Sequence, residues 1–416
     1  MIQHKDTNRV LFLDNLRYLM VLLVVILHSA ASYSNLVPWW CVREANEVSA
    51  FFDALLLFFD VFLMPVLFFI AGYFAISSFQ KKGVWLFLRR KFRCLGLPLL
   101  IGIPLMSPVF PYIYHYTRNS LFNDMSFWES WLNYMKSAGD LRIGTIYTVD
   151  QFSHFHLWFM SLLLFFFIIF ALYAGKKRWH EASIPIHSSG DISEKSVLIM
   201  LAGVGGISTL SAFVANLIFA SPANPEPWVS VANVLQFQPV KVVSYLLYFG
   251  MGICAFYGNW FTDNKIPGHP AIWILSCVLL SCCLMAILKH LMASFSITLL
   301  FIFLLVRSFL CVSFLCAFTL WAARHWNRPS HFDSLLALNS YHIYITHFII
   351  VILLQLLLTG WTNGQVLIKF GMISLASILI SYGISHYAIR PYPRLSVAGI
   401  YAVFIIILTT LHPAGS

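Results

Sequence analysis

Two ionisable side chains stand in the first long apolar run of the chain, LDNLRYLMVLLVVILHSAASYS (13–34): Arg17 near its start and His28 inside it. An α-helix turns about 100° per residue, so eleven residues return to within ~20° of the starting direction, ~16 Å further along the axis. The pair is therefore predicted to share one helix face. A span at 17–36 puts Arg17 at the cytoplasmic mouth and His28 near mid-membrane. Ionisable groups at that depth usually face a bundle interior or a cavity, and an imidazole there can carry a proton. A neutral histidine bonded to a neighbouring helix, beside a snorkelling arginine, fits the spacing equally well.

Four further stretches carry chemistry. In LRRKFRCLGLPLL (88–100), Arg90 and Arg93 lie three apart, with Arg89 and Lys91 beside them. Guanidinium groups grip phosphate bidentately, so this cluster suits a phosphorylated ligand; orientation signalling or lipid headgroup contact would use the same residues. HFHLWFMSLL (154–163) sets His154, His156 and Trp158 at the opening of a span. An interfacial aromatic belt accounts for Trp158, but not for His156. NSYHIYITHF (339–348) places Tyr341, Tyr344 and His347 at three-residue steps on one face. His347 is either a second mid-membrane functional group or a satisfied core histidine. In MPVLFFIAGYFAISS (64–78), Gly72 reads as a point of close helix approach. Asp60, seven residues after Asp53, could orient His28 or pair with Arg307, the arginine deep in another span. The eight cysteines follow no metal-ligand spacing, and no metal site is expected.

The elements that must position these groups are membrane helices. The 416 residues are 60% hydrophobic and only 10% charged, and the apolar runs reach the ~20 residues that span a hydrocarbon core. Eleven candidate spans fall at 17–36, 51–79, 95–114, 155–174, 196–220, 237–257, 271–288, 293–321, 335–357, 366–389 and 395–412. The fold class is all-α: one polytopic bundle over 1–416 with 10 to 11 transmembrane helices around a central cavity. The net charge of +10 sits in short loops beside apolar runs, notably the basic loop 80–94. With the N-terminus inside, 18 of the 26 Lys and Arg fall on the inner side and seven outside; this bias orients a membrane protein and argues against a nucleic-acid partner. The longest outer loop is 115–153, with Trp128, Glu129, Trp131, Tyr134 and Asp140. SPANPEPW (221–228) is a proline-rich turn. Pro98, Pro104, Pro108 and Pro111 should kink the third span or make it re-entrant. No cleavable signal peptide and no internal repeat is visible.

Taken in order, these stretches resemble the acyltransferase-3 family of integral membrane acyltransferases. LDNLRYLMVLLVVILH matches the family's arginine and histidine separated by ten residues, with Asp14 in the acidic position before Arg17. FFIAGYF (68–74) is similar to the second-span signature, with Ala71 where serine is commoner. RKFR (90–93) matches the arginine pair, and HLWF (156–159) and SYHIYITH (340–347) resemble later signatures. Within the family the look is nearest to the glucan biosynthesis protein C branch, whose members add succinyl groups to periplasmic glucans. The resemblance implies transfer of an acetyl or succinyl group from cytosolic acyl-CoA to a hydroxyl of a periplasmic or cell-surface carbohydrate, in a bacterial inner membrane with a cytoplasmic N-terminus. Acyl-CoA would be a co-substrate; no cofactor is expected to be bound permanently. Arg17, Arg89, Arg90 and Arg93 would hold its phosphates, with Arg17 and His28 as catalytic residues. His28 would act as general base or accept the acyl group itself. Asp14, Asp60, His156, Trp158, Tyr344 and His347 would orient groups or line the acceptor side. A transporter or flippase for a polysaccharide precursor or small anion is the competing reading, and would not explain why Arg17 and His28 share a face with a second arginine cluster at the same mouth.

Overall fold

Helix α1 runs from Leu11 to Ala30, beginning six residues before the predicted span. The extension has a packing cause. Phe12, Leu13 and Leu16 are all buried, with Phe12 edge-on to Phe261 at 5.0 Å, and the Asn15 amide donates to the Trp326 carbonyl at 2.9 Å. Asp14 and Arg17 consequently lie inside the helix, and His28 falls in its last turn rather than at its middle. The computed structural model describes residues 10–80, 83–118, 125–139, 143–146, 148–177, 179, 193–221, 224–261, 265–361, 365–399 and 402. Asp140, Lys81 and Lys82 lie outside these, as does most of the predicted span 395–412.

Ten helical stretches among the described residues are long and apolar enough to cross a membrane, and the chain is an all-α polytopic bundle. After α1 come α2 (Ala50–Gln80), then a composite third span. That span joins α3 (Gly83–Lys91), a π-helical turn (Phe92–Gly96), α4 (Leu97–Met106) and α5 (Val109–Thr117). It is one helical stretch from Gly83 to Thr117, interrupted where Pro104 and Pro108 remove amide donors. The rest are α7 (Trp158–Lys176), α8 (Glu194–Phe219), α9 (Pro239–Tyr257), α10 (Pro270–Ala293), α11 (Ile297–His325), α12 (His331–Leu357) and α13 (Val366–Gly383), the last prolonged by a second π-helical turn, Ile384–Ile389.

Helices α2 and α9 cross backbone to backbone. A Cβ at Gly72 would stand 2.0 Å from the Phe249 carbonyl oxygen, and one at Gly252 would stand 2.0 Å from that of Phe69. Close approach through Gly72 is thus reciprocal, one glycine on each helix. Around the crossing, Phe68 packs on Phe159, Phe166 and Tyr245.

The two regions read as connecting loops hold structure of their own. Helix α6 (Phe127–Ser137) opens with a capping box between Ser126 and Glu129. Trp131 donates to the Pro104 carbonyl at 2.8 Å, which pins α6 to the third span. Strands β1 (Ile143–Ile146), β2 (Trp228–Val231) and β3 (Leu235–Phe237) form an antiparallel sheet, with Ile143 opposite Val231 and Val229 opposite Phe237.

One half-buried ionic network ties three spans to that sheet. Asp60 of α2 accepts from Lys241 of α9 at 2.8 Å and from Arg307 of α11. Glu226, in the proline-rich turn, pairs with Arg307 at 2.6 Å and with Lys241 at 2.6 Å. Burial works to raise the Glu226 carboxyl, but the two cations outweigh it and hold it well below the usual carboxylate range. Asp60 therefore pairs with Arg307 and is not brought to His28.

Candidate active site

Helices α1 and α12 lie side by side and run in the same direction. From one end to the other, Tyr18 donates to Asp333 at 2.5 Å, Arg17 donates to the Ala337 carbonyl at 3.3 Å, and His28 Nδ1 meets His347 Nε2 at 2.9 Å. Gln355 then donates to the Ser29 carbonyl at 3.2 Å. Arg17 and His28 both face α12, as their spacing predicted. Asp14 pairs with Arg17 at 3.0 Å, one helical turn behind it.

The protons of the histidine pair follow from the partners. His347 Nδ1 lies 2.7 Å from the Tyr344 carbonyl and 3.2 Å from that of Ile343. A carbonyl can only accept, so Nδ1 carries the hydrogen of the neutral ring and Nε2 carries the lone pair. His28 Nδ1 must then donate to it. Nε2 of His28 is left without a proton, on a ring that is partly exposed while His347 is fully buried. That is the arrangement of a base held by its other nitrogen.

His156 completes a three-histidine cluster. It enters from the start of α7, on a short 3-10 turn whose first residue, Phe155, has φ of 45°. That left-handed geometry is strained for an aromatic residue and aims the next side chain into the bundle. His156 Nε2 donates to the Ile345 carbonyl at 2.9 Å. Its Nδ1 is buried with no hydrogen-bond partner among the described residues. Tyr344 donates to the His156 carbonyl. The His156 ring stands 5.3 Å from His347 and stacks on Phe348 at 4.7 Å. Trp158 is turned elsewhere, stacked on Tyr245 at 5.6 Å, so it does not join the cluster. His154 is also separate: it donates to the Asn233 carbonyl at 2.9 Å and anchors the sheet.

Arg89, Arg90 and Arg93 are exposed and make no ion pair among the described residues. Lys91 points the other way, over the Phe167 ring at 3.8 Å. The π-helical turn that carries Arg93 is fastened to α12, because Tyr341 donates to the Cys94 carbonyl. Tyr341 lies one turn beyond Ala337, where Arg17 docks. A single stretch of α12 thus gathers Arg17 and the turn bearing Arg93, and His347 lies ten residues, or ~15 Å, further along it. A cavity of about 50 Å³ lies elsewhere, at the Asp60–Arg307 network, lined also by Ser208, Tyr245 and Tyr248.

Two contributors escaped the sequence reading. Trp40 lies nearly parallel to His28, at 5.8 Å and 14°, and Gln355 holds Trp40 through a 2.8 Å bond from the indole nitrogen. Gln355 had a visible signal, a lone amide inside the apolar run VILLQLLL. Trp40 had none, since a tryptophan just after a first span reads as an interfacial anchor.

The family model described as an acyltransferase domain, acyltransferase 3, matches residues 10–386. Among curated proteins and among solved structures, none matches the chain. The match covers α1 to the start of the second π-helical turn, and so takes in the α1–α12 seam, the histidine cluster and the arginine-bearing turn: the chain belongs to the acyltransferase-3 family and is a membrane acyltransferase.

Proposed function

We propose that the protein transfers an acetyl or succinyl group from cytosolic acyl-CoA to a hydroxyl of a periplasmic or cell-surface carbohydrate, across a bacterial inner membrane, with its N-terminus cytoplasmic. The observation that carries this reading is the α1–α12 seam: a bare imidazole nitrogen on His28, and a guanidinium on the same helix pair ~16 Å away. Arg17, Arg90 and Arg93, with Arg89 beside them, bind the phosphates of the nucleotide end. The extended pantetheine arm then covers the distance to His28.

In the chemical step His28 Nε2 takes the proton of the acceptor hydroxyl as its oxygen attacks the thioester carbonyl. The new C–O ester bond forms, the C–S bond breaks, and the thiolate leaves with the proton that the imidazolium returns. Through Nδ1, His347 stabilises the imidazolium while that proton is held. Loss of a positioned base costs ~10²–10⁴-fold in rate. Purified protein incubated with labelled acetyl-CoA or succinyl-CoA and an oligosaccharide should release free CoA and form labelled glycan. His28→Ala should lower turnover by at least ~10²-fold with acyl-CoA binding retained, and Arg17→Ala should weaken acyl-CoA binding. A wild-type protein that neither binds nor consumes either thioester sinks the reading; an active His28→Ala sinks only the role of that residue.

A further inference from the structure

His28 sits two residues before the end of α1, and its carbonyl accepts from the Ala31 backbone N–H. Its side chain meets groups from α12 and from the connection that follows α1. His347 takes one nitrogen and Phe348 meets the ring edge-on at 4.7 Å. The remaining face is covered by Trp40, from the connection between α1 and α2.

Trp40 is itself fixed from several directions. Its indole nitrogen donates to Gln355 Oε1 at 2.8 Å, and its carbonyl accepts from the Arg118 guanidinium at 2.9 Å. Arg118 also holds the Pro38 and Cys41 carbonyls. Only 2% of the Trp40 surface is exposed. The Gln355 amide nitrogen donates in turn to the carbonyl of Ser29, the neighbour of His28. One side-chain amide thus sets the indole plane and the backbone that carries the imidazole, closing a circuit from Trp40 through Gln355 to Ser29 and His28.

We propose that Trp40 is the positioning residue of His28: its indole face, referenced to the end of α1 through Gln355, keeps the imidazole turned with Nδ1 on His347 and Nε2 bare. This role rests on the reading of His28 as the base. Trp40 touches the base and not the reacting atoms, so its removal should act on turnover and leave donor binding alone. A displaced catalytic group can cost ~10²-fold without any contact to substrate being lost.

Three variants test the assignment. Trp40→Leu should lower kcat by ~10–100-fold, with the KM for acyl-CoA within about twofold of wild type. Trp40→Phe, which keeps a flat though smaller ring and lacks the indole N–H, should recover most of that loss. Gln355→Leu, which leaves the indole but cuts both bonds, should fall between them. A second readout does not depend on turnover: carbethoxylation of His28 by diethyl pyrocarbonate, followed by mass spectrometry, should be severalfold faster in Trp40→Leu. If His28→Ala proves active, the reading of His28 fails while carbethoxylation still decides whether Trp40 holds the ring. Trp40→Leu with wild-type kcat, or with unchanged carbethoxylation, overturns the proposal, as does an equal loss in Trp40→Phe and Trp40→Leu. Should Trp40→Leu yield no monodisperse protein, Gln355→Leu decides by the same two readings.

Discussion

At the scale of single residues, two histidines two positions apart have opposite uses. His156 points into the cluster beside His347, whereas His154 is buried at 1% exposure against the sheet and donates to Asn233. Burial pushes the His154 imidazole down from 6.5 to about 4, although the bond to the Asn233 carbonyl works the other way. A histidine with a depressed folded value stabilises the fold above its unfolded value of 6.5. That contribution is lost as pH falls through the window from 6.5 toward 4, because the unfolded chain then binds the extra proton. The difference corresponds to about 3 kcal/mol. The thermal unfolding midpoint in detergent should therefore drop between pH 7 and pH 4.5, and His154→Gln should flatten that part of the curve while costing stability at neutral pH. An unchanged slope in His154→Gln would show that acid sensitivity lies in other groups. The sequence reading singled out His156, through the HLWF resemblance, but gave His154 no role of its own. Tertiary partners decide the matter: a carbonyl in the β2–β3 turn for one, a carbonyl of α12 for the other.

At the scale of elements, much of what positions the site was legible. The period of α1 puts Arg17 and His28 on one face, and α12 does receive both. The three-residue steps in α12 align Tyr344 with His347, and the prolines of the third span fall where α4 gives way to α5. Gly72 read as a packing glycine, but its counterpart Gly252 could not be paired with it without knowing that α2 and α9 are neighbours. The sheet was missed because its strands are three or four residues long and β1 is separated from its partner by more than eighty residues, too little and too far for any periodic pattern. The α2–α9 crossing permits a sharp prediction. With 2.0 Å to a backbone carbonyl on each side, no side-chain rotation relieves a new Cβ. Gly72→Ala should cost about 1–3 kcal/mol and Gly72→Val more, seen as a lower unfolding midpoint and lower yield. Gly250, two residues before Gly252 and so on the opposite side of α9, has no atom within 4 Å of a built Cβ. Gly250→Ala should be neutral or slightly stabilising by the same measurement, because alanine is the better helix former.

At the scale of the whole molecule, the placement of charge separates orientation from architecture. Lys241 and Lys369 stand among the seven cations assigned to the outer side, yet both are consumed inside the fold. Lys369 pairs with Glu44 at 2.9 Å and Glu47 at 2.8 Å, and Lys241 with Asp60 and Glu226. The exposed arginines of the third span, by contrast, make no ion pair among the described residues, which is the condition the proposed binding of a phosphorylated donor needs. The Asp60–Lys241–Arg307–Glu226 network joins α2, α9, α11 and the β2 turn, elements that come from four separate parts of the chain. Removing one member strands its partners. Arg307→Met leaves two carboxylates facing only Lys241, in a region where Arg307 keeps 15% of its side chain exposed and Asp60 keeps 36%. Breaking a fully dry pair costs about 3–5 kcal/mol; the partial exposure of Asp60 reduces the expectation to about 2–4 kcal/mol. Replacing both partners, Asp60→Leu with Arg307→Met, should recover part of that loss, since Glu226 and Lys241 then pair with each other. A double-mutant cycle on thermal unfolding measures the coupling directly. Because the network does not touch the histidine cluster, acyl-CoA binding by the folded fraction should be unchanged in all three variants. A variant that folds with wild-type stability but loses acyl-CoA binding would place the network in the donor site instead.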